Sequence, residues 1–169
     1  MRLGPLARRD RPRLAELLEA TGAFNADEVQ VALSLLDLSS RRSDGSAGDP
    51  LTPGDYEFLG AFEEESSRLM GYVCFGATPA TDGTYDLYWL AVDPAAQGRG
   101  VGTALVRAVE EKLLDRGARL LVVETSSRPD YEGTRRFYAR SGYSEAARVR
   151  DFYAPADDRI VLTTRLTTR

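Results

Sequence analysis

The 169-residue sequence contains no histidine and a single cysteine, Cys74. Without histidine, the chain alone cannot build a Ser-His-Asp or Cys-His catalytic group, and a zinc site would have to rely on carboxylates and one thiol. A general acid or base must therefore be an Asp, Glu, Tyr, Lys or Cys side chain, or a water held by one of them. One cysteine excludes an internal disulfide and fits a reducing compartment. We predict a cytoplasmic protein without a metal.

Long apolar runs and an excess of basic residues are also missing. No stretch is long enough to cross a bilayer, and the basic start, MRLGPLARRDRPRL, lacks the apolar segment of a signal peptide behind it. Twenty-two basic residues against twenty-six acidic ones leave a net charge of −4, which disfavours nucleic acid as a partner. We therefore expect neither nucleic acid nor a membrane as partner, and a cationic or amine substrate suits the charge balance.

The patterns that are present predict one α/β (α+β) domain over residues 1–169. A short strand over Met1–Leu6 precedes one helix from about Pro12 to Ala20 and a second helix through Val29 to Leu38. The stretch Ser39–Asp55 is rich in Ser, Gly, Pro and charge, so we expect an exposed loop within the domain.

Strands dominate after that loop. A hairpin precedes a third strand, TYDLYWLAV, from Thr84 to Val92. A helix is predicted from about Gly100 to Arg116, followed by ARLLVVETSS, whose nearly continuous apolar run is typical of a strand buried on both faces. A further helix over about Tyr131–Ser141 and two strands joined by a turn at Pro155–Asp158 complete the chain.

A glycine-rich segment, QGRGVG from Gln97 to Gly102, lies between the third strand and the helix that follows it. The first turn of a helix leaves backbone N–H groups unpaired and carries partial positive charge. Because Gly98, Gly100 and Gly102 lack Cβ atoms, an anion such as a phosphate or diphosphate can approach those donors closely. The segment lacks the Gly-Lys-Ser/Thr ending of a P-loop, and its spacing differs from the G-x-G-x-x-G of dinucleotide-binding folds.

The same segment satisfies Q/R-x-x-G-x-G/A and resembles the diphosphate loop of the GCN5-related N-acetyltransferase (GNAT) family. LYWLAVDPAAQGRGVG is similar to the family's fourth strand and loop, and RRFYARSGY to its later helix. The resemblance covers about Arg68 to Arg150. It implies a mixed central sheet of about six to seven strands flanked by helices, with splayed fourth and fifth strands, and an N-acetyltransferase that uses acetyl-CoA as cosubstrate.

The resemblance also implies where acetyl-CoA is held. The diphosphate would lie on the glycine loop, and the pantetheine arm would add like a strand where the fourth and fifth strands diverge. The residues assigned to the cofactor in this way are Leu90, Ala91 and Val92 on the strand, Gln97, Gly98, Arg99, Gly100, Val101, Gly102 and Thr103 at the loop, and Ser126 and Tyr138 beyond it.

The implied reaction is attack of a neutral amine on a thioester carbonyl. The amine must lose a proton, the oxyanion must be stabilised, and the departing thiolate must be protonated. The match of RRFYARSGY to the family helix implies Tyr138 as the acid. Two carboxylates compete as the base, directly or through water: Glu124, which interrupts an apolar strand, and Asp86, five residues before Ala91. Desolvation beside the cofactor would make either a stronger base.

The sequence departs from the family pattern after Glu124. TSSRPDYEG is about two residues longer than a simple T-x-S-x-N-x-x-A version, and Pro129-Asp130-Tyr131 stands in place of the usual asparagine. Ser126 or Ser127 is expected to supply the lost polar contact. Arg135 is expected either to face the cofactor's phosphate or to be a solvated helix arginine.

The acceptor site is the least determined part. Asp151–Val161 is similar to a hairpin of amino-terminal peptide acetyltransferases, so Asp151 and Tyr153 are candidates for its lining. The helices around Phe24–Leu38 and the loop Ser39–Asp55 would form the other wall. A small-molecule amine (an amino acid, polyamine or aminoglycoside) is the expected acceptor. The alternatives are a peptide or protein amino terminus and a non-catalytic acetyl-CoA-binding sensor. A homodimer is expected from the family alone.

Overall fold

The computed structural model describes residues 1–43 and 56–167. In this part of the chain seven strands form one sheet in the order β1-β2-β3-β4-β5-β7-β6. The pair β4–β5 is parallel, and the other neighbours are antiparallel. The elements are β1 (Arg2–Pro5), α1 (Arg11–Thr21), α2 (Ala26–Ser43), β2 (Glu57–Phe62), β3 (Leu69–Ala77), β4 (Thr84–Val92), α3 (Val101–Leu114), β5 (Leu120–Ser126), α4 (Glu132–Arg140), β6 (Ser144–Ala154) and β7 (Asp157–Arg165).

Helices cover both faces of the sheet. One hydrophobic cluster joins α1 and α2 to the sheet through Leu14, Leu17 and Leu18, each fully buried. A second cluster joins α3 and α4 to the opposite face. Burying a leucine side chain stabilises the fold by about 1.5–3 kcal/mol, so the two clusters fix the helices on the sheet. This arrangement confirms the predicted mixed sheet flanked by helices.

The helix predicted after the glycine loop is confirmed as α3, and it carries an apolar stripe. Val101, Leu105, Val109 and Leu113 are all buried against the sheet. They recur every four residues and so share one face of the helix. The stripe places the N-terminus of α3, and the glycine loop ahead of it, at the end of β4.

The predicted loop over Ser39–Asp55 is wrong in its first residues, since α2 continues to Ser43. Ser40 lies four residues after the buried Leu36 and is itself buried, so it continues the inner face of the helix. The rest of that predicted loop, residues 44–55, lies outside the described residues. None of the helices in the described ranges is long and apolar enough to cross a membrane.

β4 and β5 diverge after their first four residue pairs, the last of which is Leu87 with Val123. Next to this point β4 carries a β-bulge. Phe75 and Cys74 of β3 pair with Leu87 and Trp89 of β4, so Tyr88 between them has no partner residue on β3. Beyond it, residues 88–92 of β4 have β3 on one edge and no strand on the other. The predicted splay is therefore confirmed.

Candidate active site

Two clefts meet where β4 and β5 diverge. The first, here named the aromatic cleft, has a volume of about 610 Å³ and lies between the α1–α2 connection and the ends of β4 and β5. The second, the glycine cleft, has a volume of about 690 Å³ and lies between the glycine loop and α4. The residues that line both are Leu90, Val92, Gln97, Thr134 and Tyr138. The clefts are therefore parts of one groove through the gap in the sheet.

The glycine loop leaves open space on its outer side. Gly98 and Gly100 have φ angles of +73° and +79°, and a Cβ atom on either would have no heavy atom within 4 Å. Helix α3 makes its first backbone hydrogen bond from the Ala104 N–H to the Gly100 carbonyl, at 3.0 Å. The N–H groups ahead of Ala104 are left for a ligand or solvent. A diphosphate fits this loop because the donors are free and no side chain blocks them.

Most of the predicted cofactor residues line the glycine cleft. Those found there are Leu90, Val92, Gln97, Gly98, Gly100, Val101, Gly102, Thr103 and Tyr138. Ala91 lines the aromatic cleft instead. Arg99 is the one predicted loop residue that lines neither cleft. Its guanidinium lies 4.0 Å from the carboxylate of Glu63 on the exposed β2–β3 hairpin. The predicted contact of Arg99 with a phosphate stays a prediction.

The loop is anchored at its start by Asp93, whose side chain is only 10% exposed. Its Oδ1 accepts a hydrogen bond from the Ala95 N–H at 2.9 Å, and its Oδ2 accepts from Arg13 and, at 3.1 Å, from Arg68. The Ala95 N–H and then the two guanidinium groups hold the pKa of this carboxyl below its ordinary value. Asp93 therefore remains a charged anchor where β4 leads into the loop.

Tyr138 lies at the junction of the two clefts. Its side chain projects from α4 and is 3% exposed, and its ring packs edge-on against Phe137 and Tyr143 at 5.1 Å and 5.2 Å. Burial raises the pKa of the phenol above its ordinary value, since the charged form is disfavoured away from water. The phenol is therefore protonated at neutral pH and can donate a proton into the groove.

Glu124 lines the aromatic cleft and is more exposed than expected. Its side chain is 40% exposed, because β4 has already diverged from β5 at this position. The guanidinium of Arg159 donates to its carboxylate and stacks over Phe152 at 5.0 Å. Its place beside the gap makes Glu124 accessible to an amine, and its desolvation beside a bound cofactor stays a prediction.

Asp86 lies apart from this site. It sits where β4 is still paired with both neighbours, opposite Gly76 and Val122, and it lines neither cleft. Its carboxylate accepts a hydrogen bond from the Thr78 hydroxyl at 2.6 Å. The structure therefore brings Glu124, and not Asp86, together with Tyr138.

Four predictions made for the later part of the chain have different outcomes. Tyr153 lines the aromatic cleft as expected. Asp151 does not, because its carboxylate accepts from the Ala156 N–H at 2.7 Å within the β6–β7 turn. Arg135 is half-buried and donates to the Ser126 carbonyl at 2.6 Å, and its predicted contact with a phosphate stays a prediction. The hydroxyl of Ser127 accepts from the Asp158 N–H at 2.8 Å.

Ser126 lines the aromatic cleft but uses its hydroxyl within the protein. The hydroxyl donates to the buried carboxylate of Asp157 and accepts from the Arg128 N–H at 3.0 Å. These contacts, together with Arg135 on the neighbouring carbonyl, hold the chain between β5 and α4. Ser126 therefore shapes the cleft wall, and its predicted contact with the cofactor stays a prediction.

The predicted wall from the helices around Phe24–Leu38 is present, since Phe24 and Glu28 line the aromatic cleft. Tyr131 lines the same cleft from the β5–α4 connection, and burial and then the nearby Glu28 raise its pKa. Tyr88 and Trp89 line it from β4, and burial raises the pKa of Tyr88 to about 12. Tyr88, Trp89 and Tyr131 were not predicted at the acceptor site, and of the three only Tyr131 had a signal in the sequence, because it stands where the family pattern expects another residue.

Neither a thiol nor a metal group contributes to the groove. The structure buries Cys74 in the α1–α2 cluster, and burial raises the pKa of its thiol. Among residues 1–43 and 56–167 no group of Cys, Asp and Glu side chains is arranged to hold a metal ion. Of the predicted catalytic residues, the Tyr138 phenol and the Glu124 carboxylate line the groove.

Comparisons with known proteins agree with this geometry. The model of the acetyltransferase (GNAT) family matches residues 32–143. A crystal structure described as a GNAT-family acetyltransferase from Desulfovibrio desulfuricans is 36% identical, with a TM-score of 0.85, over 98% of this chain and 99% of that one. An aminoglycoside 6'-N-acetyltransferase, crystallised with coenzyme A, shares the fold with a TM-score of 0.74 at 15% identity, over 100% of this chain and 99% of that one.

A mycothiol acetyltransferase from Mycolicibacterium vanbaalenii is 39% identical over 103 residues, which are 60% of this chain. The matched segment spans only 32% of the length of that relative. The family match covers most of the present chain, including β4, α3 and α4, which line the glycine cleft. The chain belongs to the acetyltransferase (GNAT) family.

Proposed function

We propose that the protein transfers the acetyl group of acetyl-CoA to the primary amine of a small molecule. The observation that carries this proposal is the position of Tyr138, which lines both the glycine cleft and the aromatic cleft. A proton donor at that junction can serve a reaction between one molecule held in each cleft.

The glycine cleft is proposed as the site of acetyl-CoA. Its diphosphate would accept hydrogen bonds from the free N–H groups of the loop over residues 98–103, at the positive end of α3. The unpaired edge of β4 at Leu90–Val92 would offer backbone groups to the pantetheine arm. When bound, acetyl-CoA supplies an acetyl group activated as a thioester.

Two side chains are proposed to move protons. Glu124, directly or through a water, takes the proton that the amine loses as its nitrogen forms the C–N bond. Tyr138 gives its proton to the sulfur as the C–S bond breaks. Both groups line the groove, whereas Asp86 is engaged with Thr78 outside it. The base proposed here is therefore Glu124.

A cationic small molecule is the proposed acceptor. Among the described residues, three carboxylates, those of Glu28, Glu124 and Asp157, and one cation, Arg128, line the aromatic cleft. Aromatic rings complete the walls, and such rings attract an ammonium group over their faces. The volume of about 610 Å³ is that of a small-molecule site.

The test is thiol release from acetyl-CoA with a panel of polyamines, amino acids, aminoglycosides and short peptides. Release with the small amines, and a KM that is lower for dications than for monocations, supports the proposal. Release with peptides alone would establish the amino-terminal alternative. Calorimetric binding of acetyl-CoA without release on the whole panel would indicate a sensor, and no binding at all would overturn the acetyltransferase proposal.

We further propose that the chain acts as one domain in the cytoplasm, where its single thiol stays reduced.

A homodimer is proposed from the family resemblance. The outer strand β6 supports it, since Val149, Phe152 and Tyr153 are exposed there, and exposed apolar strands at a sheet edge favour association. Light scattering of the purified chain tests the dimer.

A further inference from the structure

Arg13 links α1 to the strand end that leads into the glycine loop. Its guanidinium donates to the Asp93 carboxylate through Nη2 and to the Leu69 carbonyl, at 3.3 Å, through Nε. The side chains of Arg13 and Asp93 are 20% and 10% exposed. An ion pair so shielded from water is screened weakly by salt, so it ties α1 firmly to this point of the sheet.

The other end of α1 reaches the aromatic cleft. The helix runs from Arg11 to Thr21, and Thr21, Ala23 and Phe24 line that cleft. Leu14, Leu17 and Leu18 pack the body of the helix on the sheet. A helix held along its length moves as one body, so a shift of its first turn is carried to its last turn.

We propose that Arg13 is a positioning residue that couples the two clefts, so that occupation of the glycine cleft orders the α1 wall of the aromatic cleft. This inference rests on the proposed function only for the identity of the molecule in the glycine cleft. A ligand that restricts the motion of the glycine loop also restricts Asp93 at its start. Because Arg13 ties Asp93 to α1, the motion of α1 is restricted as well. By linkage, an acceptor that orders α1 strengthens binding at the loop by the same factor.

Arg68 provides a matched control. It donates to the same oxygen of Asp93 at 3.1 Å, but it lies just before β3 and its side chain is 56% exposed. Replacing Arg68 removes one guanidinium from Asp93 but leaves α1 attached to it through Arg13. The variants Arg13→Gln and Arg68→Gln therefore separate coupling through α1 from a general weakening of the anchor.

The experiment is hydrogen exchange with and without coenzyme A, with calorimetry to confirm that each variant is saturated. In the wild type and in Arg68→Gln, coenzyme A is expected to slow exchange in α1 and at residues 22–28. In saturated Arg13→Gln the loop is expected to be protected while α1 is not. Arg13→Lys, which keeps the charge opposite Asp93, is expected to restore part of the protection.

A kinetic measurement gives a second readout. At saturating acetyl-CoA, Arg13→Gln is expected to raise the acceptor KM by about fivefold or more, the lower range of allosteric coupling, with little change in kcat. Equal protection of α1 in the wild type and Arg13→Gln, or equal loss in Arg13→Gln and Arg68→Gln, would overturn the coupling alone. Failure of the wild type to bind coenzyme A would overturn the proposed function with it.

Discussion

Arg159 of β7 donates a hydrogen bond to the carboxylate of Glu124 on β5. In the register of the two strands Arg159 is opposite Ser126, so it reaches Glu124 diagonally on the same face of the sheet. Since Glu124 lines the aromatic cleft, an incoming ammonium group meets a carboxylate that already holds a cation. In the proposed reaction, binding of an ammonium acceptor would exchange one cation for another at Glu124.

Replacing Glu124 by Gln is expected to lower kcat/KM for the acceptor by about 10²-fold, the range typical of a lost general base. The amide keeps the size of the side chain but cannot take a proton. Asp86→Asn is the matched control, because Asp86 is hydrogen-bonded to Thr78 outside the groove. Steady-state kinetics of both variants decides between the two carboxylates, and a larger loss in Asp86→Asn would reverse the assignment.

Replacing Tyr138 by Phe is expected to lower kcat by about 10²-fold with little change in acetyl-CoA affinity, because only the donated proton is lost. Tyr143→Phe is the control. Its ring packs against Tyr138, but its hydroxyl donates to Glu110 at 3.0 Å and it lines neither cleft. Comparable losses of kcat in the two variants would show that the effect is one of packing.

The pH profile of kcat gives an independent check on Tyr138. Burial favours the neutral phenol and raises its pKa above the ordinary value for tyrosine. The proton is therefore retained as the pH rises through that ordinary value of about 10. We expect no fall in kcat from ionisation of Tyr138 below about pH 10. A fall near neutral pH that is absent from Tyr138→Phe would contradict this assignment.

Replacing Gly100 by Ala is expected to weaken coenzyme A binding by about tenfold or more, as for the loss of one hydrogen bond to a charged group. The added methyl group would enter the open space outside the loop. Gly117→Ala is a matched control, since Gly117 has φ +77° and equally open surroundings at the far end of α3. In both variants the free energy of unfolding should fall by about 1 kcal/mol. Calorimetric titration with coenzyme A should show weaker binding in Gly100→Ala alone.

Replacing Asp93 by Asn is expected to destabilise the fold in a pH-dependent way. The Ala95 N–H and the Arg13 guanidinium lower the pKa of Asp93 in the folded state. Its contribution to stability is therefore complete above the unfolded pKa of about 4 and is lost as the pH falls through the lower, folded value. Urea denaturation should show a large difference from wild type at neutral pH that narrows in acid. A constant difference would contradict the role of the charge.

The sequence was sufficient for the features that depend on local pattern. β4 has its predicted bounds, Thr84–Val92, and the apolar stripe of α3 lies on the sheet as its spacing required. The open glycine loop ahead of α3 also followed from three alternate glycines at a helix start. The splay of β4 and β5 came only from the family resemblance, because nothing in the composition of either strand prevents longer pairing.

The rest of the site depends on contacts between distant segments. Glu124 and Arg159 are thirty-five positions apart, and their contact requires the register of β5 with β7. Arg135 contacts backbone carbonyls, which carry no signal in a side-chain pattern. The exclusion of Asp86 depends on how far β4 stays paired with β5. Each of these features depends on which distant segments the fold places side by side, and residue type alone does not predict that.

The extra residue at Tyr88 makes the arrangement of the groove depend on the length of β4. Because side chains alternate along a strand, one added residue exchanges the faces of every residue behind it. Tyr88 and Trp89 both pack on the α1–α2 side, whereas Leu90 and Val92 pack on the α3 side. Deletion of this one residue would present the wrong side chains to each side of the groove, so β4 is expected to tolerate many substitutions better than a change in its length.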